Sequence, residues 1–311
     1  MKLIQWPVKD THHKNTESMK RMCKALDLEY EGTDDFKRLN TVDYVIVWLP
    51  LYFIHPMSFP IQIRLLYGPQ FFTFPEGPVF DLYDEKTYNL NKDRCVYTSL
   101  SSWNYNVFNE FGRKSLIPIA PLPFGINTQE LLPVDKTNKP FVCMLYTKMR
   151  NIEEVHYLKT VLKLNNVTYI HLNYGDYTDS EYQTALDNVK FCIWFGCTES
   201  QGFAFQECLA KNVPILVISA KTMFDGCDSG TTRMGSLLNN LVGKYKLEGT
   251  SAPYWSDTCG IYIDDLLKFN EAYNTMLLKY KTFEPRKFVE ERLSDKRTMY
   301  DILCTLNILK K

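Results

Sequence analysis

Two carboxylates, Glu199 and Glu207, flank seven residues in the stretch Thr198-Glu199-Ser200-Gln201-Gly202-Phe203-Ala204-Phe205-Gln206-Glu207. Each can accept hydrogen bonds from sugar hydroxyls. Gly202 lets the chain turn sharply and approach a ligand with no side chain in the way. The pattern over residues 203–211 predicts a helix, with Asn212 in the left-handed position just past its end. First-turn amides of such a helix lack intrahelical partners and carry the positive end of its dipole, so they suit an anion such as a diphosphate. Together these features form a cradle for a nucleotide bearing a diphosphate and hydroxyl groups.

A sheet must hold this cradle. Residues 191–195 are an apolar run of strand length that stops at Gly196, as in a buried strand of a parallel sheet. After the helix, Pro214 opens another apolar strand. Further strand patterns occupy 2–4, 44–49, 71–74, 94–97, 116–119, 141–146 and 167–172. Helical patterns cover 16–28, 61–67, 102–111 and 178–188, then 288–293 and 300–309 near the C-terminus. Such alternation predicts parallel sheets with right-handed crossovers. A Pro-containing passage over 133–140 reads as a linker.

At 311 residues, two domains are the natural division, and 45% hydrophobic content supports sizeable cores. With 36 basic and 36 acidic residues, the chain lacks the basic excess of a nucleic-acid binder. Residues 1–7 contain no apolar core for a signal peptide. The apolar stretch 42–54 is broken by Asp43 and Pro50 and is too short to span a bilayer, which leaves only peripheral membrane contact open. Nine scattered cysteines with no C-x-x-C pair read as free thiols in a reducing compartment, so the cytoplasm is the expected location and the Asn166-Val167-Thr168 sequon has no role there.

Residues 199–214 resemble the donor-binding motif of GT-B retaining glycosyltransferases of the family-four type (glycosyl transferases group 1). Glu199, Gly202, Glu207, Ala210 and Val213-Pro214 match that motif; Gln201 stands where Phe is common and Asn212 where Gly is common. The stretch 116–127 is similar to the family's I-P-x-G-I/V-D segment, with Asn127 replacing Asp. The Tyr- and Asn-rich character resembles glycosyltransferases encoded by large DNA viruses, which would place the protein in a host cytoplasm. The early Gly-rich loop of typical bacterial members is missing.

The resemblance implies an α/β, GT-B fold: two Rossmann-like domains facing a cleft, with a C-terminal helix crossing back to the first. The implied domains are an acceptor-side domain over 1–137, a nucleotide-sugar domain over 138–285, and C-terminal helices over 286–311 packing on the first domain. The implied activity is metal-independent transfer of a sugar, with retention, from a nucleotide-diphosphate sugar to a hydroxyl of a glycan, glycoprotein or small molecule. No cofactor beyond the donor substrate is implied. Glu207 would bind the ribose, while Glu199 with Ser200, Gln201, Gly202 and Phe203 would hold the sugar ring. Lys148 and Arg150, in the loop after a second-domain strand, are the implied cations for the leaving diphosphate, and the spacing leaves open which one touches it. Tyr177, in the Tyr174-Gly175-Asp176-Tyr177 loop, would pack on the base. On the acceptor side, His55 and Ser101 are candidates from the Ile54-His55-Pro56 and Ser101-Ser102-Trp103-Asn104 segments.

Other chemistries lack their motifs. The sequence contains no D-x-D, G-x-x-x-x-G-K-[ST], H-E-x-x-H, G-x-G-x-x-G or G-x-S-x-G. Two alternatives stay open: a GT-B protein that binds a nucleotide sugar without transferring it, and a GT-B-fold epimerase. The second needs further acid/base residues that the sequence does not identify. The run Thr250-Ser251-Ala252-Pro253-Tyr254-Trp255-Ser256 is expected to be structural.

Overall fold

The computed structural model describes residues 1–41, 43–69, 77–222 and 248–310. Two compact units emerge: Met1–Asn127 with Arg292–Lys311, and Thr128–Glu291. The first carries strands β1 (Lys2–Gln5), β2 (Glu29–Gly32), β3 (Ile46–Leu49), β4 (Arg64–Tyr67), β5 (Cys95–Thr98) and β6 (Ile119–Ala120). They lie in the order β2-β1-β3-β4-β5-β6, every pair parallel. Helices α1 (His13–Ala25), α2 (Pro78–Asp81), α3 (Glu85–Asn91) and α4 (Ser102–Glu110) connect them. All residues of β3 and β5 are buried, as expected where helices cover both faces of a parallel sheet.

The second unit runs β7 (Phe141–Lys148), α5 (Ile152–Leu164), β8 (Tyr169–Asn173), α6 (Asp179–Asp187), β9 (Val189–Gly196), α7 (Phe203–Ala210), β10 (Ile215–Ile218), β11 (Gly260–Ile263) and α8 (Phe269–Lys279). Its sheet is also parallel throughout, in the order β11-β10-β9-β7-β8. Val155, Leu158, Phe191, Phe195 and Met276 are among the side chains of one continuous core. Helix α9 (Pro285–Arg292) then leads to α10 (Asp295–Thr305), which returns to the first unit and lies on α1. Arg21 Nε meets Asp295 Oδ2 at 3.1 Å, and Ser18 donates to the Gly125 carbonyl at 2.8 Å. Gly125 permits this approach, because a Cβ there would stand 2.6 Å from the Asp295 Cα.

Several expectations are corrected. Residues 61–67 are not a helix: Arg64–Tyr67 forms β4, paired on both sides. The edge strand β2 was not foreseen, and 116–119 contributes only the two-residue β6. The expected strand at 71–74 lies outside the described residues. The two compact units divide after Asn127 and Glu291, beside the boundaries expected after residues 137 and 285. Residues 128–137 are tied to the second unit. Val134 N–H donates to the Lys211 carbonyl at 2.9 Å and Lys136 Nζ to the Phe283 carbonyl at 2.8 Å. The Arg286 guanidinium reaches the carbonyls of Thr128 (2.7 Å) and Ala210 (2.8 Å), and also that of Leu131. Among the described residues no helix is long and apolar enough to cross a membrane.

Candidate active site

The strand order of the second sheet reverses between β7 and β9, which pair directly so that Lys148 stands opposite Gly196 at their carboxyl ends. Open α/β sheets bind ligands outside the carboxyl ends of the strands at such a reversal. Lys148 and Glu199 meet there. Lys148 Nζ lies 2.9 Å from Glu199 Oε1 and 2.8 Å from Oε2, with side-chain exposures of 16% and 8%. Burial alone would lower the lysine pKa, but the charge and hydrogen bonds of Glu199 outweigh it and hold the ammonium above its ordinary value. Tyr174 places its ring 4.3 Å from the same ammonium.

The loop that carries Glu199 is braced from behind. Glu199 N–H donates to the Thr250 carbonyl at 3.0 Å, and the buried Ser251 hydroxyl donates to the Gly196 carbonyl at 2.7 Å. The segment that offered no chemistry in the sequence thus positions one that does. Beyond Glu199 the chain turns through Gly202, at φ 76°, into α7. Gln201 is buried. Its amide donates to Gln206 Oε1 at 3.0 Å, and Gln206 returns a bond to the Gln201 carbonyl at 3.0 Å. The Gln201 side chain is therefore turned into the loop and locks the entry to the helix. Asn212 adopts φ 63° past the helix end, as expected.

Glu207 sits half-buried on α7, where Gln183 Nε2 of α6 approaches its Oε2 at 3.4 Å. Tyr177 is held by the protein's own rings. Its hydroxyl is 2.9 Å from that of Tyr146, and its ring stacks on Tyr182 at 5.5 Å. Tyr146 in turn stacks on Trp194 at 3.9 Å, and burial raises its phenol pKa. Ser200, half-buried, lies between Glu199 and Gln201 in the same loop.

Arg150 touches this group through its Nη1, which donates to the Gly196 carbonyl at 3.5 Å. Its guanidinium lies 4.1 Å over the Phe195 ring, close to Glu154 at 3.4 Å, and its side chain is 6% exposed. Phe195 belongs to the core on the α5 face of the sheet, the opposite face from Trp194. In the first unit, His55 Nδ1 accepts from the Met57 N–H at 3.3 Å and caps a short 3₁₀ turn. Ser101 is fully buried and donates to Asn104 Oδ1 at 2.7 Å. Both hold local structure.

One group was missed by the sequence reading. At the carboxyl ends of β1 and β3, where the first sheet reverses its order, Trp6 packs against Phe36 (5.2 Å) and Tyr52 (5.6 Å). Phe36 and Tyr52 remain half exposed. These rings come from three separate segments, Phe36 from a 3₁₀ turn over Phe36–Asn40, so no local spacing announces them. Among the described residues no group of three or more His, Cys, Asp or Glu is placed to hold a metal, and the eight described cysteines are buried thiols outside any disulfide.

No protein-family model and no curated protein matches the sequence. Solved structures do match. The lipopolysaccharide outer core galactosyltransferase WaaB, in its apo form, superposes with a TM-score of 0.53 at 10% identity over 99% of both chains. The fold is GT-B. Sucrose-phosphate synthase from Thermosynechococcus elongatus scores 0.48 at 11% identity, covering 94% of this chain and 78% of that one. WaaG, a glycosyltransferase involved in lipopolysaccharide biosynthesis, scores 0.46 at 10% identity over 100% of both chains. At such identities the likeness is one of fold.

Proposed function

We propose that the protein is a glycosyltransferase that moves a sugar from a nucleotide-diphosphate sugar to an acceptor hydroxyl with retention of configuration. The observation that carries this reading is the buried Lys148–Glu199 pair at the strand-order reversal of the second sheet, on the loop that leads into α7. The donor diphosphate lies against the first-turn amides of α7 and the Lys148 ammonium. Glu207 accepts hydrogen bonds from the ribose hydroxyls. Glu199 holds Lys148 in place and faces the sugar together with the backbone of Ser200, Gln201, Gly202 and Phe203.

Lys148, rather than Arg150, is the diphosphate cation in this reading, because Arg150 is folded over Phe195 on the other face of the sheet. The acceptor oxygen bonds to the anomeric carbon as the bond from that carbon to the diphosphate oxygen breaks. The acceptor proton passes to the departing diphosphate. Charge building on that leaving group is met by dipoles and an ammonium already in position, so the reading calls on no metal. Tyr177 frames the base pocket through its place in the aromatic column. On the acceptor side, the half-exposed Phe36 and Tyr52 rings are better placed to meet a sugar face than the buried Ser101.

Incubation with UDP-, GDP- and ADP-sugars, with released nucleoside diphosphate as the readout, tests the reading. Release by the wild type with one donor, abolished in Lys148→Met, is expected. Donor binding with no release under any acceptor would favour a binding protein without transferase activity.

A further inference from the structure

At the amino edge of the first sheet, the starts of β4 and β5 border an open pocket of about 360 Å³ lined by Ile61, Arg64, Leu90, Asp93, Arg94 and Asn307. Arg94 is only 3% exposed, and its donors go to four neutral oxygens. These are the carbonyls of Pro56 (2.7 Å), Pro60 (3.0 Å) and Ile63 (3.0 Å) and the Asn91 side-chain oxygen (2.8 Å). They satisfy its geometry and leave its charge uncompensated. Arg64, half-buried, has a guanidinium with no hydrogen bond or ion pair among the described residues. Asp93 supplies the one carboxylate of the lining; it is exposed and pairs with neither arginine.

Two guanidiniums against one exposed carboxylate leave the pocket positive. A buried cation without a counter-charge is costly, so an anion settling here would be favoured. The planar fork of arginine matches phosphate oxygens two at a time. Ile61 and Leu90 add an apolar rim, at 60% and 50% exposure. We propose that this pocket binds an organic phosphate: Arg64 takes the phosphate oxygens, Arg94 supplies positive field from beneath, and the carbon part of the ligand lies on Ile61 and Leu90. All of its lining residues belong to the first unit, whereas the donor residues belong to the second.

The phosphate could belong to a lipid headgroup or to a soluble ester, and two arms separate them. Calorimetric titration of the full chain uses glycerol 3-phosphate, and co-sedimentation uses phosphatidylcholine vesicles with and without phosphatidic acid. Binding in the first arm identifies a soluble ester, and phosphatidic-acid-dependent binding in the second identifies a headgroup. In either arm Arg64→Gln should weaken binding about tenfold or more, the worth of a lost charge-assisted hydrogen bond. Asp93→Asn, at an exposed position, should tighten binding and keeps the proposal testable if Arg64→Gln fails to fold. A wild type that binds neither probe overturns it, and so does affinity that ignores both substitutions.

Discussion

Removing the Lys148 ammonium should cost far more than losing a surface charge. The pair is nearly enclosed, with side-chain exposures of 16% for Lys148 and 8% for Glu199 and both carboxylate oxygens within 2.9 Å of Nζ. Deleting one partner of a buried pair typically costs about 3–5 kcal/mol, against about 0.2–1 kcal/mol for an exposed one. Lys148→Met should therefore lower the unfolding free energy by roughly 3 kcal/mol. Glu199→Gln should cost less, because its amide oxygen can still accept from the ammonium. The double variant carries neither charge and should recover part of the loss, with a coupling of about 2 kcal/mol in a double-mutant cycle. Urea unfolding at neutral pH, followed by tryptophan fluorescence, measures each corner. Enclosure also predicts a coupling that changes little between low and high salt. Single variants that each cost under about 0.5 kcal/mol and add without coupling would refute the enclosed-pair account.

Gly202→Ala should destabilise the protein by about 1–2 kcal/mol, since a side chain at φ 76° is strained, although its Cβ would stand in ordinary contact with Glu199 and Phe205 at 3.4 Å. A thermal melt checks this, and an unchanged melting temperature would count against the tight entry into α7. Gly125→Ala should loosen the docking of α10 on the first unit, because its Cβ would meet the Asp295 backbone; faster proteolysis of the C-terminal helix is the readout. Stability should also fall in alkali. Burial pushes the thiols of Cys23, Cys95, Cys143 and Cys259 up to about 12, so the folded state keeps protons that the unfolded state releases from about pH 9. Their contribution is whole below that pH and drains away toward pH 12, at about 1.4 kcal/mol per thiol per pH unit. Lys136, lowered to about 8 by burial, acts in the opposite sense above pH 8, but it is one group against four. A urea midpoint that is flat or rises from pH 8 to pH 10 would contradict this balance.

Much of the second unit was legible because its signals are local. The strand at 191–195, the helix from Phe203 and the stop at Asn212 each carry their own chemistry within a few residues, and all appear where expected. The first unit was harder to read. β4 is buried on both faces, so Leu65-Leu66-Tyr67 shows no alternation and is too short to tell a strand from a helix. β2 fails for the opposite reason. Glu29-Tyr30-Glu31-Gly32 is a polar edge strand, and its charges serve a cluster in which Lys2 meets Glu29 (3.4 Å), Glu31 (2.5 Å) and Asp43 (3.2 Å).

At the site, Lys148 and Glu199 were each visible, but their pairing joins residues 51 positions apart and depends on β7 lying beside β9. The brace from Thr250 and Ser251 is likewise a product of topology. Arg150 looked equivalent to Lys148 in sequence. The alternation of β9 separates them, since Phe195 draws the guanidinium to the α5 face.

In the function proposed above, the second unit holds a nucleotide-diphosphate sugar with Glu207 on its ribose. The most direct measurement is the thermal stability of the wild type and Glu207→Ala in the presence of UDP, GDP, ADP and their sugars. One nucleotide series should raise the wild-type melting temperature, by the linkage of binding to the folded state, and Glu207→Ala should fold normally but lose the shift. A wild type that none of these ligands stabilises, or a Glu207→Ala variant stabilised as strongly as the wild type, would contradict it.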